Sequence, residues 1–174
     1  LKPAFADPRF AERYPEIDWS ITPGNSSPLT DGASAALIMS AEKAAALGLT
    51  PRARFHAFSV VGSDPEVMLS GPIPATHKVL ARAGLRADDI DAFEVNEAFA
   101  SVPMAWAAEF DVDPARLNPR GGAIALGHPL GASGARIVLH LALELARRGG
   151  GTGAAGLCGA GGQGDALIIT VPGK

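Results

Sequence analysis

The stretch GGAIALGHPLGASGARIVLHLALELARRGG, residues 121–150, indicates the fold most directly. It starts as a glycine-rich loop and continues with apolar residues at helical spacing, which predicts a helix of about 15 residues. Two arginines followed by glycine suit the end of that helix, because cations and then glycine satisfy its last carbonyl groups. His128 lies in the loop between a glycine and a proline, where a side chain is poorly placed to fill a core. We therefore expect a functional loop that leads into a long helix.

The segments on both sides of this stretch alternate between strand and helix patterns. Strand patterns, rich in apolar and β-branched residues, occur in RFHAFSVVG (54–62), IDAFEVN (90–96), TGAAGLC (152–158) and DALIITV (165–171). Helix patterns occur in PATHKVLARAGL (74–85) and EAFASVPMAWAAEF (97–110). Alternating strands and helices that end in a hairpin predict an α/β fold with a mixed sheet.

The first 50 residues have a different character. Residues 1–28 contain five prolines and are predicted to form an extended arm, because such a stretch cannot be one helix or one central strand. The following segment, DGASAALIMSAEKAAALGL (31–49), is rich in alanine and leucine and predicts a buried helix that stops at Gly48. The sequence begins with leucine rather than methionine, so we expect a processed or cut piece of a longer polypeptide.

Composition excludes several classes of protein. The chain has 174 residues, of which 47% are hydrophobic and 19% charged, which suits a folded domain with a packed core. A net charge of −3 without a basic stripe argues against binding to nucleic acid. No apolar run approaches the roughly 18 to 20 residues of a membrane span, and no signal peptide is recognisable. The single cysteine excludes an internal disulfide framework and a cysteine-rich zinc module, which predicts a reducing, cytoplasmic location.

Two glycine-rich motifs are interpreted as structural. GAGGQG (159–164) matches the dinucleotide-binding pattern, but a strand pattern follows it where that motif requires a helix. GASGA (131–135) approaches a nucleophile elbow around Ser133 but lacks the final glycine and the preceding strand. Ser133 is therefore interpreted as a residue at the start of a helix.

Three polar residues remain at the ends of predicted elements, where ligands collect in α/β sheets. They are Asn96, His128 and Cys158. Histidine and cysteine exchange protons most easily near neutral pH, with ordinary pKa values of about 6.5 and 8.5. Two alternatives stay open at this point: Asn96 as the N-cap of the helix that follows it, and Cys158 as inert packing in an apolar strand.

Five motifs resemble those of the C-terminal half of the thiolases and follow the order of that family. They are GNSSPLTDGA (24–33), SGPIPA (70–75), NEAFA (96–100), GGAIALGHPLGASGAR (121–136) and CGAGGQG (158–164). The resemblance implies a three-layer α/β/α fold with a five-stranded mixed sheet. It also implies that residues 51–174 are the thiolase C-terminal domain. Residues 1–50 would then be the end of the loop region and the last strand and helix of the N-terminal domain.

The resemblance also implies the reaction and the catalytic residues. Thiolases cleave a 3-ketoacyl-CoA with coenzyme A, as in fatty acid β-oxidation, or run the same Claisen chemistry in reverse. By this likeness His128 activates the nucleophilic cysteine and donates to the thioester oxygen. Asn96 holds a water in the same oxyanion site. Cys158 is the acid/base, and a thiol near histidine is expected to shift toward the pH range where it exchanges protons.

Three further residues are assigned to substrate binding by the same resemblance. Ser27 matches a serine near the pantetheine arm of coenzyme A, and Met68 a residue beside the acyl group. Ala160 stands where the family often has glycine, at the turn that supplies a backbone N–H to the second oxyanion hole. Its methyl group suggests thiolysis of medium or bulky 3-ketoacyl-CoA substrates.

The resemblance leaves the chain without one part of the machinery. The nucleophilic cysteine of thiolases belongs to the first half of the molecule, and Cys158 is the only cysteine present. We therefore expect the remaining thiolase polypeptide as a partner, in a homo- or hetero-oligomer (dimer or tetramer), with acyl-CoA and coenzyme A as substrates. No metal and no covalently bound cofactor is expected. The alternatives are a truncated, non-catalytic module that binds acyl-CoA or a subunit, and a condensing enzyme such as a ketosynthase.

Overall fold

A computed structural model describes residues 1–173 and centres on one mixed sheet of four strands. The strands are β1 (Arg54–Gly62), β2 (Ala92–Val95), β3 (Gly151–Gly159) and β4 (Gln163–Val171). They lie in the order β1-β4-β3-β2. β2 runs parallel to β3, whereas β4 is antiparallel to both β1 and β3. The predicted α/β fold with a mixed sheet is confirmed.

The expectation of a fifth strand is wrong for the described residues. Beside β2, where the sheet would continue, Leu117 forms a single parallel bridge with Phe93. The next residue, Asn118, donates its N–H to the Phe93 carbonyl and has φ of 45°. Because a positive φ turns the backbone away from the extended direction, the pairing ends after one bridge.

Helices cover both faces of the sheet. The six α-helices of the described residues are α1 (Pro8–Arg13), α2 (Ala41–Ala46), α3 (Pro72–Ala83), α4 (Ser101–Phe110), α5 (Ala123–Leu126) and α6 (Leu130–Arg148). α3 and α4 pack on one face, and α6 packs on the other. None of these helices combines the length and the apolar character needed to cross a membrane.

Each face of the sheet has its own core. On the α3 and α4 side, Phe93 and Trp106 are fully buried, with ring centroids 4.8 Å apart. On the α6 side, Leu141 and Leu145 pack against the sheet at Gly153. A Cβ at Gly153 would lie 2.7 Å from the Leu141 side chain, so glycine is what allows α6 to approach β3 this closely. β2 lies between the two cores, and all four of its residues are buried.

The predicted elements of residues 51–171 are confirmed, with shifted ends. α6 has 19 residues, and Gly149 ends it in the left-handed conformation. α4 begins at Ser101 rather than at residue 97. The residues before it pair with the N-terminal arm instead: Phe99 forms a bridge with Ser26, and the Ala100 N–H donates to the Asn25 carbonyl. Tertiary hydrogen bonds thus replace the first helical turn that the pattern predicts.

The buried helix predicted for residues 31–49 is wrong. Only Ala41–Ala46 is helical, and only Ala44 within it is buried. Residues 31–40 form neither helix nor strand, and the Leu37 and Ile38 side chains are 80% and 67% exposed. Alanine and leucine favour a helix, but propensity alone does not hold one this short without a surface to pack on.

Most of the first 28 residues form neither helix nor strand, and no single helix or central strand runs through them. α1 interrupts the arm, where the Asp7 carboxylate caps the helix by accepting the Arg9 N–H and Pro8 occupies the first helical position. A short 3-10 turn at Pro23–Asn25 follows, capped by Thr22. The arm then reaches the end of the sheet, where its residues contact the candidate site.

Candidate functional site

Asn96 directly follows β2 and is 2% exposed. Its N–H donates to the Gly156 carbonyl at 3.0 Å, which fixes it beside β3. Its side-chain oxygen and nitrogen are both buried and have no hydrogen-bond partner among the described residues. The N-cap of α4 is Ala100, so the alternative interpretation of Asn96 as a helix cap is wrong. A buried amide without partners costs free energy, so it calls for a further polar group or a water beside it.

Glu97, which sequence analysis did not single out, joins the Asn96 segment to the loop before His128. Its Oε1 accepts from Asn118 Nδ2 at 3.0 Å, and its Oε2 accepts from the Ile124 N–H at 3.1 Å. Gly122 leaves room for this carboxylate, because a Cβ there would lie 2.2 Å from the Glu97 side chain. Glu97 therefore sets the spacing between the two loops.

His128 lies in the loop between α5 and α6 and is partly buried. Its N–H donates to the Pro28 carbonyl at 2.9 Å, and Arg136 Nη1 donates to the Gly127 carbonyl at 3.0 Å. Both groups belong to the peptide bond between Gly127 and His128, so the backbone is anchored on the N-terminal side of His128. Burial, followed by the nearby Arg136 charge, lowers the pKa of the His128 imidazole, so the neutral ring persists to more acidic pH than usual.

Ser133 contacts the His128 ring. It lies in the first turn of α6, is fully buried, and places its Oγ 2.6 Å from His128 Nδ1. The same Oγ donates to the Pro129 carbonyl at 3.0 Å. Sequence analysis interpreted Ser133 only as a helix-start residue. The spacing H-x-x-x-x-S across the start of a helix was the available signal, but it is not a recognised motif.

Cys158 is the last residue but one of β3, opposite Gly164 of β4. Its partly buried side chain packs against the core on the α3 and α4 side. Burial raises the pKa of the Cys158 thiol, whereas sequence analysis expected histidine to bring it toward neutrality. The described residues show no hydrogen bond between the Cys158 and His128 side chains, and an apolar environment disfavours the thiolate.

Ser27 lies against the segment that follows Asn96. Its N–H and its Oγ both donate to the Ala98 carbonyl, at 3.0 Å and 3.1 Å. Because the Pro28 carbonyl holds the His128 backbone, one short stretch of the N-terminal arm contacts both loops. Ser27 thus lies beside the Asn96 and His128 segments.

Met68 and Ala160 lie on loops around the turn between β3 and β4. Met68, in the β1–α3 loop, has φ of 48° and is 42% exposed. Ala160 is exposed in the turn itself, next to Gly161. The two loops meet where the Ser63 Oγ donates to the Gly162 carbonyl at 3.2 Å. Neither side chain contacts Asn96 or His128 through a hydrogen bond among the described residues.

The predicted residues are thus brought to one end of the sheet in two groups. Ser27, Asn96 and His128 belong to loops joined by hydrogen bonds. Cys158 is connected to them through β3, because the Asn96 N–H binds Gly156 two residues earlier. Carboxyl ends of adjacent parallel strands are where α/β sheets place ligands, and β2 and β3 form such a pair here.

Open clefts lie beside this region rather than on the three polar residues. One cleft of about 430 Å³ and another of about 290 Å³ lie between residues 30–33 and the first turns of α6. Arg136 and His140 line the smaller one. Within residues 1–173, no group of three or more histidine, cysteine or acidic side chains could hold a metal ion.

Glu94 is a buried carboxyl that sequence analysis missed. It lies in β2, is 2% exposed, and has an Oε1 without a hydrogen-bond partner among the described residues. Burial raises its pKa to about 8, against the lowering effect of Arg136 and with smaller contributions from Glu97 and Glu144. The available signal was one acidic residue inside an otherwise apolar strand pattern.

Known proteins that resemble this chain are thiolases and acetyl-CoA acetyltransferases. Residues 49–171 match the family described as "Thiolase, C-terminal domain". A probable acetyl-CoA acetyltransferase of Mycolicibacterium smegmatis is 50% identical over 169 residues, which cover 97% of this chain and 41% of that protein. The chain therefore spans about two fifths of the length of this relative.

Solved structures give the same likeness. The acetyl-CoA acetyltransferase of Bacillus anthracis superposes with a TM-score of 0.85 at 45% identity, covering 87% of this chain and 39% of that chain. Human mitochondrial 3-ketoacyl-CoA thiolase in complex with CoA superposes with a TM-score of 0.80 at 44% identity, with the same coverage of 87% and 39%.

Proposed function

The chain belongs to the thiolase family, and on that premise we propose that it is the C-terminal portion of a thiolase that cleaves a 3-ketoacyl-CoA with coenzyme A. The products are acyl-CoA and acetyl-CoA, and the reverse reaction is the Claisen condensation of two acyl-CoA molecules. The observation that carries the proposal is the meeting of the Asn96 and His128 loops at the carboxyl end of β2, next to the strand that ends near Cys158.

His128 is the proposed base for the nucleophilic thiol. The lowered pKa keeps its ring neutral at neutral pH, so the ring can accept the thiol proton. The resulting imidazolium can then donate a hydrogen bond to the thioester oxygen. The anchored Gly127–His128 peptide and the Ser133 contact with Nδ1 hold the ring in place for both steps.

Asn96 is the proposed partner of His128 in stabilising the enolate oxygen. Its buried amide has unsatisfied hydrogen-bonding atoms, which a water could satisfy. A fixed donor aimed at a developing oxyanion lowers the activation free energy by about 3 to 4 kcal/mol. The carbanion beside a thioester becomes accessible only with such donors.

Cys158 is the proposed acid/base. It transfers protons to or from the acetyl carbon and the coenzyme A thiol. Its raised pKa means that the free protein holds this thiol protonated at neutral pH, ready to act first as an acid. In cleavage, the thiol proton goes to the carbon of the departing acetyl-CoA enolate. The thiolate that remains then takes the proton of the incoming coenzyme A thiol.

Coenzyme A and acyl-CoA are the proposed ligands, with Ser27, Met68 and Ala160 lining their path. The Ala160 methyl group in place of a hydrogen favours a site adapted to medium or bulky acyl groups. A series of 3-ketoacyl-CoA substrates of increasing length, compared by kcat/KM, tests this. Acetoacetyl-CoA emerging as the best substrate by about tenfold or more would contradict it.

The remaining thiolase polypeptide is the proposed partner, because Cys158 is the only thiol of the chain and the covalent step needs another. Residues 51–174 would be the C-terminal domain, and residues 1–50 would belong to the loop region and the N-terminal domain. We propose a cytoplasmic dimer or tetramer. The same lone cysteine favours a second candidate, a non-catalytic module that binds acyl-CoA or a subunit.

An assay of thiolysis with the His128→Ala variant tests the proposed function. The variant is introduced into the protein together with the polypeptide that supplies the nucleophile, and release of acetyl-CoA from a 3-ketoacyl-CoA is followed. We expect a loss of about a hundredfold or more in kcat/KM. The control is Ser59→Ala in β1, which is distant from His128 in the sequence. It removes a buried hydroxyl and should change the rate less than about twofold. An unchanged rate in a folded His128→Ala protein would contradict the function.

A further inference from the structure

We propose that Ser133 positions the proton of His128 on Nδ1 and so keeps Nε2 unprotonated for the reaction. The inference rests on the proposed function of His128, and it deepens that function by naming the residue that fixes the tautomer of the ring. Ser133 acts through the histidine and is therefore a positioning residue.

The proton count between the two residues carries the inference. Ser133 Oγ makes two close contacts, 2.6 Å to His128 Nδ1 and 3.0 Å to the Pro129 carbonyl oxygen. A carbonyl oxygen only accepts, so the Pro129 contact needs the single hydroxyl proton of Ser133. The Nδ1 contact then needs a proton from the ring. The only arrangement with a proton in both contacts is Nδ1–H donating to Oγ and Oγ–H donating to the carbonyl.

The opposite arrangement leaves a repulsive contact. If Ser133 donated to Nδ1, its oxygen would lie 3.0 Å from the Pro129 carbonyl oxygen with no proton between them. Ser133 is fully buried, so water cannot relieve that contact from its side. The backbone of Ser133 is fixed as well, because its N–H donates to the same Pro129 carbonyl at 2.9 Å.

The consequence concerns the other nitrogen of the ring. A neutral histidine holds one proton, so a proton on Nδ1 leaves the Nε2 lone pair free. Nε2 can then accept the proton of the nucleophilic thiol, and the imidazolium formed carries it as Nε2–H. With the opposite tautomer Nε2 would already be protonated and could not act as the base.

The first readout is the tautomer itself. Histidine labelled with ¹³C in the ring is incorporated into the complete, deuterated protein, and the His128→Asn variant assigns the His128 signals. Ring carbon shifts distinguish the tautomers above the pKa of the ring. We expect the Nδ1–H form in the wild type, a shift toward Nε2–H in Ser133→Ala, and the wild-type form in both Ser133→Thr and the control Ser59→Ala. An Nε2–H wild type, or no change in Ser133→Ala, would overturn the inference.

The second readout is the rate. We expect Ser133→Ala to lower kcat/KM for thiolysis by about tenfold to a hundredfold, with recovery in Ser133→Thr and thermal unfolding as the control for folding. A Ser133→Ala variant with the wild-type rate would overturn the positioning role. The failure of the proposed function looks different, because His128→Ala would then be fully active whatever tautomer the ring adopts.

Discussion

At the scale of single residues, His128 and Cys158, the two proposed proton carriers, differ in their surroundings. Burial and the Arg136 charge keep the His128 ring neutral, which suits a base. Burial also raises the pKa of the Cys158 thiol, which suits an acid. Groups whose environments give them opposite protonation states near neutral pH are the usual division of labour in acid/base catalysis.

Replacement of the thiol tests this division. Cys158→Ala in the complete protein should lower turnover by at least about a hundredfold, because the proton of the substrate carbon loses its carrier. The protein should stay folded, since the Cys158 side chain is only partly buried. Steady-state thiolysis and circular dichroism measure the two effects. Near-wild-type turnover in the folded variant would remove Cys158 from the mechanism.

A double-mutant cycle tests whether Asn96 and His128 serve one oxygen. If they do, the combined substitution to alanine should cost little more than the worse single substitution, because one oxyanion site is already lost. The kcat/KM values of the two single variants and the double variant decide this. Additive losses would place the two residues at separate sites.

At the scale of the elements, β2 is the most confined strand, because it lies between the two cores and all four of its residues are buried. One of these buried residues is Glu94. The folded-state pKa of Glu94 is raised to about 8 from its ordinary 4.5. Between these values the folded protein holds a proton that the unfolded chain has released. The free energy of unfolding should therefore fall as pH rises through this window.

Glu94→Gln checks the sign of that dependence, because glutamine resembles the protonated acid but does not titrate. We expect the variant to match the wild type at about pH 5 and to exceed its Tm by at least about 3 °C at about pH 9. Glu12→Gln, on the exposed surface of α1 and without an ion pair among the described residues, is the control and should change Tm by less than about 1 °C at either pH. An equal Tm difference at both pH values would contradict the account of β2.

Elements with a strong periodic pattern could be predicted from sequence, and contacts across the chain could not. α6 follows from its apolar spacing and the glycine after it, and the apolar strands follow from their composition. Residues 31–40 look helical by composition but lack a packing surface among the described residues. The Glu97 and Ser133 contacts depend on how loops fold back, which no local pattern records.

At the scale of the whole molecule, the chain brings Asn96, His128 and Cys158, the residues proposed for catalysis, to one end of the sheet, and Cys158 is its only thiol. The chain spans about two fifths of the M. smegmatis relative. The segment 31–40, which forms neither helix nor strand, exposes the apolar side chains of Leu37 and Ile38. The proposed function requires that a thiol outside these 174 residues carries the acyl group.

Mass spectrometry of acyl transfer tests this requirement. The purified chain, checked by intact mass for contaminating partner, is given a 3-ketoacyl-CoA and coenzyme A, and both turnover and covalent acylation are followed. We predict no turnover and no stable acyl adduct on Cys158, whereas the complete protein turns over and carries the adduct on another cysteine. Multiple turnovers by the purified chain with a stable acyl adduct on Cys158 would contradict the account.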